Sequence, residues 1–399
     1  MPYYLCKLST EEGKIISTSY LAGSREEAKK YFENNGFCVL GVKKDWKQIN
    51  LSLVRKIKDG DFIMFNQELV ALLKAGYPIH RALETIIQRV KKINLKELLL
   101  KIREEVKDGK SLSEAFSHYG QPFSKIYPVA LLAGEKSGSL ETSISRFINY
   151  SKTISQTKKK IKSALTYPTL LIIFSLLLLG IIFNFVLPRF SSFYRDFEAE
   201  LPALTRFLIV FSSFLERNIV YFLIGSFLII IFYFRLKKTE KGILLLDNLK
   251  LKIPYASTFW IESTISLFCR TLSLLLAGGI PLVSSIEIAR ESVTNKYLGK
   301  RMEHLSESIK NGESLTNSLA KTEFFPPLSL DMIRVGETSA ALPEMLAEVA
   351  DFYDQKIETR ISTLVSLIEP VVIIFMGLLI AGMLLSVYLP IFNVVRIAG

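Results

Sequence analysis

Residues Leu170–Leu187 read LLIIFSLLLLGIIFNFVL, with Pro168 ahead, Pro188 behind and no charged side chain from Thr169 to Pro188. About twenty residues at 1.5 Å each cover the ~30 Å hydrocarbon core of a bilayer. A soluble helix has no need of so long an all-apolar surface, so the stretch is read as a membrane span. Two further stretches behave alike. Ile219–Phe234 is charge-free between Arg217 and Arg235, and Pro370–Val395 is charge-free throughout. The run Phe207–Leu215, closed by Arg206 and Glu216, is too short to cross and is expected to form an interfacial or periplasmic helix. Three spans result, at 166–188, 218–235 and 369–390.

Basic residues orient them. Lys158, Lys159, Lys160 and Lys162 precede the first span, and Arg235, Lys237, Lys238 and Lys241 follow the second. The four Arg of 189–217 are balanced by Asp196, Glu198, Glu200 and Glu216. Lys/Arg excess beside spans marks the cytoplasmic side, which puts the N-terminus inside, 189–217 in the periplasm, 236–368 inside and a 391–399 tail outside. Much of the net charge of +12 thus faces anionic headgroups, and nucleic acid is not the expected partner. Cys6, Cys38 and Cys269 fall on the predicted cytosolic side, which implies no disulfide framework. No apolar segment opens the chain, so the internal spans are expected to act as the targeting signal.

Residues 1–45 alternate two β-prone runs, a helix from Arg25 to Asn34 and a returning strand, the pattern of a small α/β adaptor domain. A linker follows at 46–60. From Asp61 the period turns helical, with Phe62, Phe65, Leu69, Leu72 and Leu73 on one stripe. Gly76 stops that helix, and Pro78 opens the next at its first turn. A third helix runs from Asn94 to Lys107, Ser111-x-x-Glu114 is a capping box for a fourth, and Pro122 and Pro128 frame a fifth ending at Gly134. A long polar helix, Ser139–Ser163, runs toward the bilayer, giving six helices in 61–165.

The pattern then repeats. Phe65-x3-Leu69-x2-Leu72-Leu73-x2-Gly76-x-Pro78-x5-Glu84 is matched by Phe268-x3-Leu272-x2-Leu275-Leu276-x2-Gly279-x-Pro281-x5-Glu287, an offset of 203. Lys107-x-Gly109-x-Ser111-Leu112 matches Lys310-x-Gly312-x-Ser314-Leu315 at the same offset. After one deletion the offset is 202, and Gly134-Glu135-x-Ser137-x2-Leu140 matches Gly336-Glu337-x-Ser339-x2-Leu342. Pro168 pairs with Pro370, and Leu187-Pro188-x-Phe190 with Leu389-Pro390-x-Phe392. Register held this long dictates the architecture. The fold class is an all-α membrane protein of two tandem cytosolic six-helix bundles, each followed by a transmembrane helix. The additional span between the copies, 218–235, returns the chain to the cytosol, and the small N-terminal α/β domain precedes the whole.

Residues able to do covalent chemistry are not brought together by any motif. His80, His118 and His304 lie in separate helices without zinc spacing, and Gly134-Glu-Lys-Ser-Gly138 lacks the order of a phosphate loop. No cofactor, metal or catalytic residue is expected. The repeated corner Gly134, Glu135, Gly138 and Gly336, Glu337 is the most pointed feature. In the structural reading each first glycine ends a helix and the glutamate bonds backbone donors at the start of the next; in the functional reading the carboxylate meets a partner or an ion. Within the spans, Asn184 is the one strongly polar residue and Glu369 sits at a mouth, too little for a transport pathway. Gly180, Gly377 and Gly382 suit close helix packing.

The matched residues Phe65–Pro78, Gly109–Leu112, Gly134–Gly138 and Pro370 through Phe392 resemble the type II secretion F-domain family. Its members are platform proteins of type II secretion systems and type IV pili. The resemblance spans 62–393, and residues 1–45 look like the N-terminal domain of longer members. It implies a non-enzymatic protein of the bacterial inner membrane, a homodimer or higher homo-oligomer. The implied partners are a cytosolic hexameric assembly ATPase, pilin or pseudopilin subunits and other inner-membrane assembly proteins. A transporter or channel subunit is the alternative, and a membrane-bound signalling enzyme a more distant one. The second copy departs at Ala340-Ala341, where the first has Gly138-Ser139, so a partner contact is expected at Glu135 before Glu337.

Overall fold

The computed structural model describes residues 3–9, 15–21, 25–34, 38–44, 57–119, 124–182, 185, 203–254 and 256–398. Asn184, Pro188 and the connector up to residue 202 lie outside them. The chain divides into two compact units, Met1–Pro128 and Val129–Gly399.

The first unit opens with strands β1 (Tyr3–Ser9), β2 (Ile15–Leu21) and β3 (Cys38–Lys44), an antiparallel sheet of order β2-β1-β3. Helix α1 (Arg25–Asn34) packs on β3 and β1 over buried Cys6, Phe32 and Val42. Among the described residues four helices follow: α2 (Asp59–Lys74), α3 (Ile79–Arg89), α4 (Ile93–Lys107) and α5 (Leu112–His118). Their apolar stripes converge on Phe65, Leu83, Ile86, Leu99 and Phe116. The start of α6 (Ile126–Lys136) adds Tyr127, whose ring meets Phe62 and Phe116 edge-on at 4.9 Å each. Burying Asn66 in this cluster is tolerable because both ends of its amide are paired. Its Nδ2 donates to Phe62 O at 2.8 Å, and the Tyr127 hydroxyl donates to its Oδ1 at 2.6 Å.

The second unit continues α6 and holds α7 (Leu140–Ala164), α8 (Thr166–Ile181) and α9 (Ala203–Leu236). Next come α10 (Glu240–Lys252), α11 (Ala256–Ala277), α12 (Leu282–Ser292), α13 (Lys296–Arg301) and α14 (Leu305–Lys310). The chain closes with α15 (Leu315–Ala320), α16 (Pro327–Thr338) and the 57-residue α17 (Leu342–Ala398). One core joins Phe268 and Leu272 of α11 to Leu346, Val349, Ala350 and Tyr353 of α17.

Three helix spans among the described residues are long and apolar enough to cross a membrane: Leu140–Ile181, Ala256–Ala277 and Leu342–Gly382; Ile224–Leu236 is shorter. Ala256–Ala277 differs from the rest because protein covers it: Ile265, Phe268, Cys269 and Leu272 are fully buried. The large apolar side chains Leu170, Phe174 and Leu177, Phe227, Ile229 and Phe232, and Val371, Phe375 and Leu378 instead stand open, surface that lipid would cover.

Several expectations change. Phe207–Leu215 is not a separate interfacial helix, because α9 runs unbroken from Ala203 to Leu236. Glu216-Arg217-Asn218 contains no helix breaker, and Asn218 Nδ2 caps inward on Phe214 O at 2.8 Å. Helix α17 passes through Pro370 and Pro390 without a break, so neither proline ends a helix. Pro168 lies in the first turn of α8, where a missing N–H costs nothing. Pro78 and Pro281 sit at the N-cap, one residue before the first turn. An added Cβ on Gly377 would meet no atom within 4 Å, whereas Gly382 is buried.

The glycines at helix ends have a definite geometry. Gly76 and Gly279 take φ +80° and +81°, Gly109 and Gly312 +94° and +86°. At each, the next residue's N–H reaches back to a carbonyl five residues earlier: Tyr77 N to Leu72 O at 3.0 Å, Ile280 N to Leu275 O at 3.1 Å. These are left-handed caps that satisfy terminal carbonyls. Gly138 keeps the pattern at φ +67°, but its counterpart Ala340 holds φ +55° with a Cβ. Gly76→Val or Gly279→Val should therefore cost on the order of 1–2 kcal/mol, and Ala340→Gly should stabilise by up to about 1 kcal/mol. Thermal unfolding of the detergent-solubilised full chain checks both signs.

Candidate functional site: the repeated Gly-Glu corners

Gly134 and Gly336 do not end helices, contrary to the sequence expectation. Helix α6 continues to Lys136 and α16 to Thr338. Both glycines exist for close approach instead. A Cβ on Gly134 would lie 2.8 Å from Ser143 Cβ and 2.9 Å from Leu140 Cα; on Gly336 it would lie 2.9 Å from Met345 Cβ. The helix before each corner thus crosses the helix after it at backbone contact, and the turn itself falls to Gly138 and Ala340.

This crossing aims Glu337 away from the helix that follows it. Its carboxylate caps α15 instead, accepting Leu315 N at 2.5 Å, Thr316 N at 3.0 Å and the Thr316 hydroxyl. Ser314 Oγ accepts Asn317 N at 3.2 Å and completes the cap. Leu315 and Thr316 are buried, so these donors have no access to water. Both Glu337 oxygens are engaged within the chain, on α15 rather than on the helix that follows. Glu135 is half-buried one residue after Gly134. In the first copy α5 carries its own capping box, with Glu114 N on Ser111 Oγ and Ser111 N on Glu114 Oε2, both 3.1 Å.

A polar seam joins α11 to α17. Glu262, Ser266 and Arg270, one turn apart, face Arg360, Asp354 and Asp351. Arg360 Nε lies 2.9 Å from Glu262, Ser266 Oγ donates to Asp354 at 2.6 Å, and Arg270 reaches Asp351 and Asp354 at 2.8 and 2.7 Å. Helix α7 is tied to the same pair: Tyr150 and Thr271 hydroxyls are 3.1 Å apart, Arg146 donates to Ala277 O, and Lys160 meets Glu358 at 2.8 Å. Near the mouth of the third apolar stretch, Glu369 lies beside Tyr167.

The histidines have separate places. His118 Nδ1 is 2.7 Å from Glu105, whose ionisation burial opposes; hydrogen bonds from His118, Tyr119 and Lys110 nonetheless hold its carboxyl below the ordinary range. His304 faces Ser318 O at 3.3 Å, and His80 is exposed. Burial pushes the Cys269 thiol well up, leaving it inert. His118 and the α11–α17 seam brace neighbouring helices.

The family model for type II secretion system (T2SS), protein F matches residues 65–188 and again 268–390. The chain belongs to that family. It is 28% identical over 401 residues to a type IV pilus assembly protein PilC of Thermus thermophilus, covering 99% of this chain and 98% of that one. A Pseudomonas aeruginosa protein of the same name is 30% identical over 372 residues, 93% and 99% of the two chains. A type II secretion system protein F, also from P. aeruginosa, is 29% identical over 353 residues, 88% and 86%. The two matched segments of this F-family chain begin at Phe65 and Phe268, the residues that anchor the offset of 203.

Glu337→Ala strands two backbone donors and a hydroxyl and should cost about 1–3 kcal/mol. Denaturant unfolding of the full chain measures it, and an unchanged midpoint would remove the capping role.

Proposed function

We propose that this chain is the inner-membrane platform of a type IV pilus or type II secretion machine. In this reading it couples a cytosolic assembly ATPase to the insertion or extraction of pilin or pseudopilin subunits and catalyses nothing itself. Helix α17 carries the proposal. Its first turns are locked in the core by Leu346, Val349 and Tyr353, and the same uninterrupted helix then offers bare apolar surface from Leu364 to Leu385. At 1.5 Å per residue the rod is about 85 Å long, so a push on the soluble core reaches membrane depth without a joint. The seam of Glu262–Arg360 and Arg270–Asp354 resists slippage where α11 meets that rod.

The topology proposed with it has the N-terminus in the cytoplasm, spans at 166–188, 218–235 and 369–390, and both helical copies on the cytoplasmic face. The open apolar side chains of Ile224–Phe234 support the second span over Ala256–Ala277. Homo-oligomerisation is part of the proposal, supported by Gly377, where an added Cβ would meet no atom within 4 Å and a second helix could approach closely.

The full chain in detergent micelles should retain the purified assembly ATPase from the same genome on an affinity column, and the salt-washed complex should elute as one peak. A folded chain that never retains it would contradict the platform reading.

A further inference from the structure

The two copies treat one groove differently. In the second copy, α11 and the loop between α12 and α13 form a groove that α10 fills. Its key residue is Asp247, itself buried. Asp247 Oδ2 accepts Lys296 N at 2.8 Å, and its backbone oxygen accepts Asn295 Nδ2 at 3.4 Å. Leu251, one turn on, packs against the core. Under this cover Thr264 is 3% exposed and Val293 and Asn295 1% each.

At the offset of 203 the same walls recur in the first copy as Asp61, Met64 and Phe65 of α2 with Val90 and Lys92 of the α3–α4 loop. Among the described residues the groove there is open, about 330 Å³ in volume. Met64 is 61% exposed on its wall, and Ile93, the counterpart of Lys296, is 71% exposed at its end. The positions equivalent to α10 are 37–49, and their described part is strand β3. Residues 38–44 of that stretch thus form a strand where the second copy has a helix.

The rim has changed as well. Where the second copy has neutral Ser292, Thr294 and Asn295, the first has Arg89, Lys91 and Lys92. A carboxylate on an incoming helix would meet three cations on the loop side, while Asp61 and Glu68 on the opposite wall favour a basic or polar flank. We propose that this groove docks an amphipathic helix of a cytosolic partner protein, with a carboxylate one turn from an apolar residue, in the pose of α10. The inference rests on the platform reading, which makes the assembly ATPase the protein to try.

The test places p-benzoylphenylalanine at Met64 of the full chain in detergent micelles and irradiates it with the purified ATPase. The expected result is a crosslink to the ATPase that a peptide of residues 239–253 competes. The exposed pair Lys91→Glu/Lys92→Glu should weaken ATPase retention roughly tenfold, and its unchanged thermal midpoint would show the fold intact. Crosslinks to residues 45–56 of the same chain or to a second copy would overturn the proposal by naming another occupant. ATPase retention without a Met64 crosslink and without an effect of the charge reversal would overturn the groove and leave the platform reading standing. An ATPase not retained by the unmodified chain would overturn both.

Discussion

Burying Glu262 constrains much of the second unit. A carboxylate at 4% side-chain exposure persists only with a partner, and Arg360 of α17 supplies it. With Ser266 and Arg270 a turn and two turns on, that pairing holds α11 along α17. An apolar helix long enough to cross a bilayer is thereby committed to protein packing. Among the described residues the remaining apolar surface lies on α8, α9 and the far half of α17, and α17 belongs to both environments. The division between soluble core and membrane face follows from which polar groups each helix must satisfy.

The duplicated glycines act by two different mechanisms, and this is why only some were legible. Gly76 and Gly279 precede Pro at fixed spacing after an apolar stripe, a pattern with one reading, and their φ values are positive. Gly134 and Gly336 look the same in a sequence, yet they stay helical and serve close approach to Leu140 and Leu342. Glycine removes both a steric bar and a volume, and a string of letters does not say which is needed. The partner of Glu337 was hidden for a related reason. Leu315 and Thr316 lie more than twenty residues earlier, and only the crossing angle set at Gly336 turns the carboxylate toward them.

Apolar runs and repeat register were the robust signals, because hydrophobic period and identity at constant offset need no tertiary information. Charge misled at Glu216-Arg217, where two good helix formers interrupt hydropathy without interrupting α9. The three histidines needed neighbours to be understood: His118 braces Glu105 across thirteen residues, a contact no local pattern announces. The open first-copy groove became visible only when one copy was laid on the other, since neither is remarkable for its residues alone.

The proposed topology hangs the two helical copies from one face of the membrane, and a labelling experiment reads that directly. Lys101→Cys and Lys310→Cys, both at exposed sites, would be probed with a membrane-impermeant maleimide on sealed spheroplasts and on inverted inner-membrane vesicles. The account predicts that both positions are protected in spheroplasts and both react in inverted vesicles. Labelling of one position from each side would contradict it.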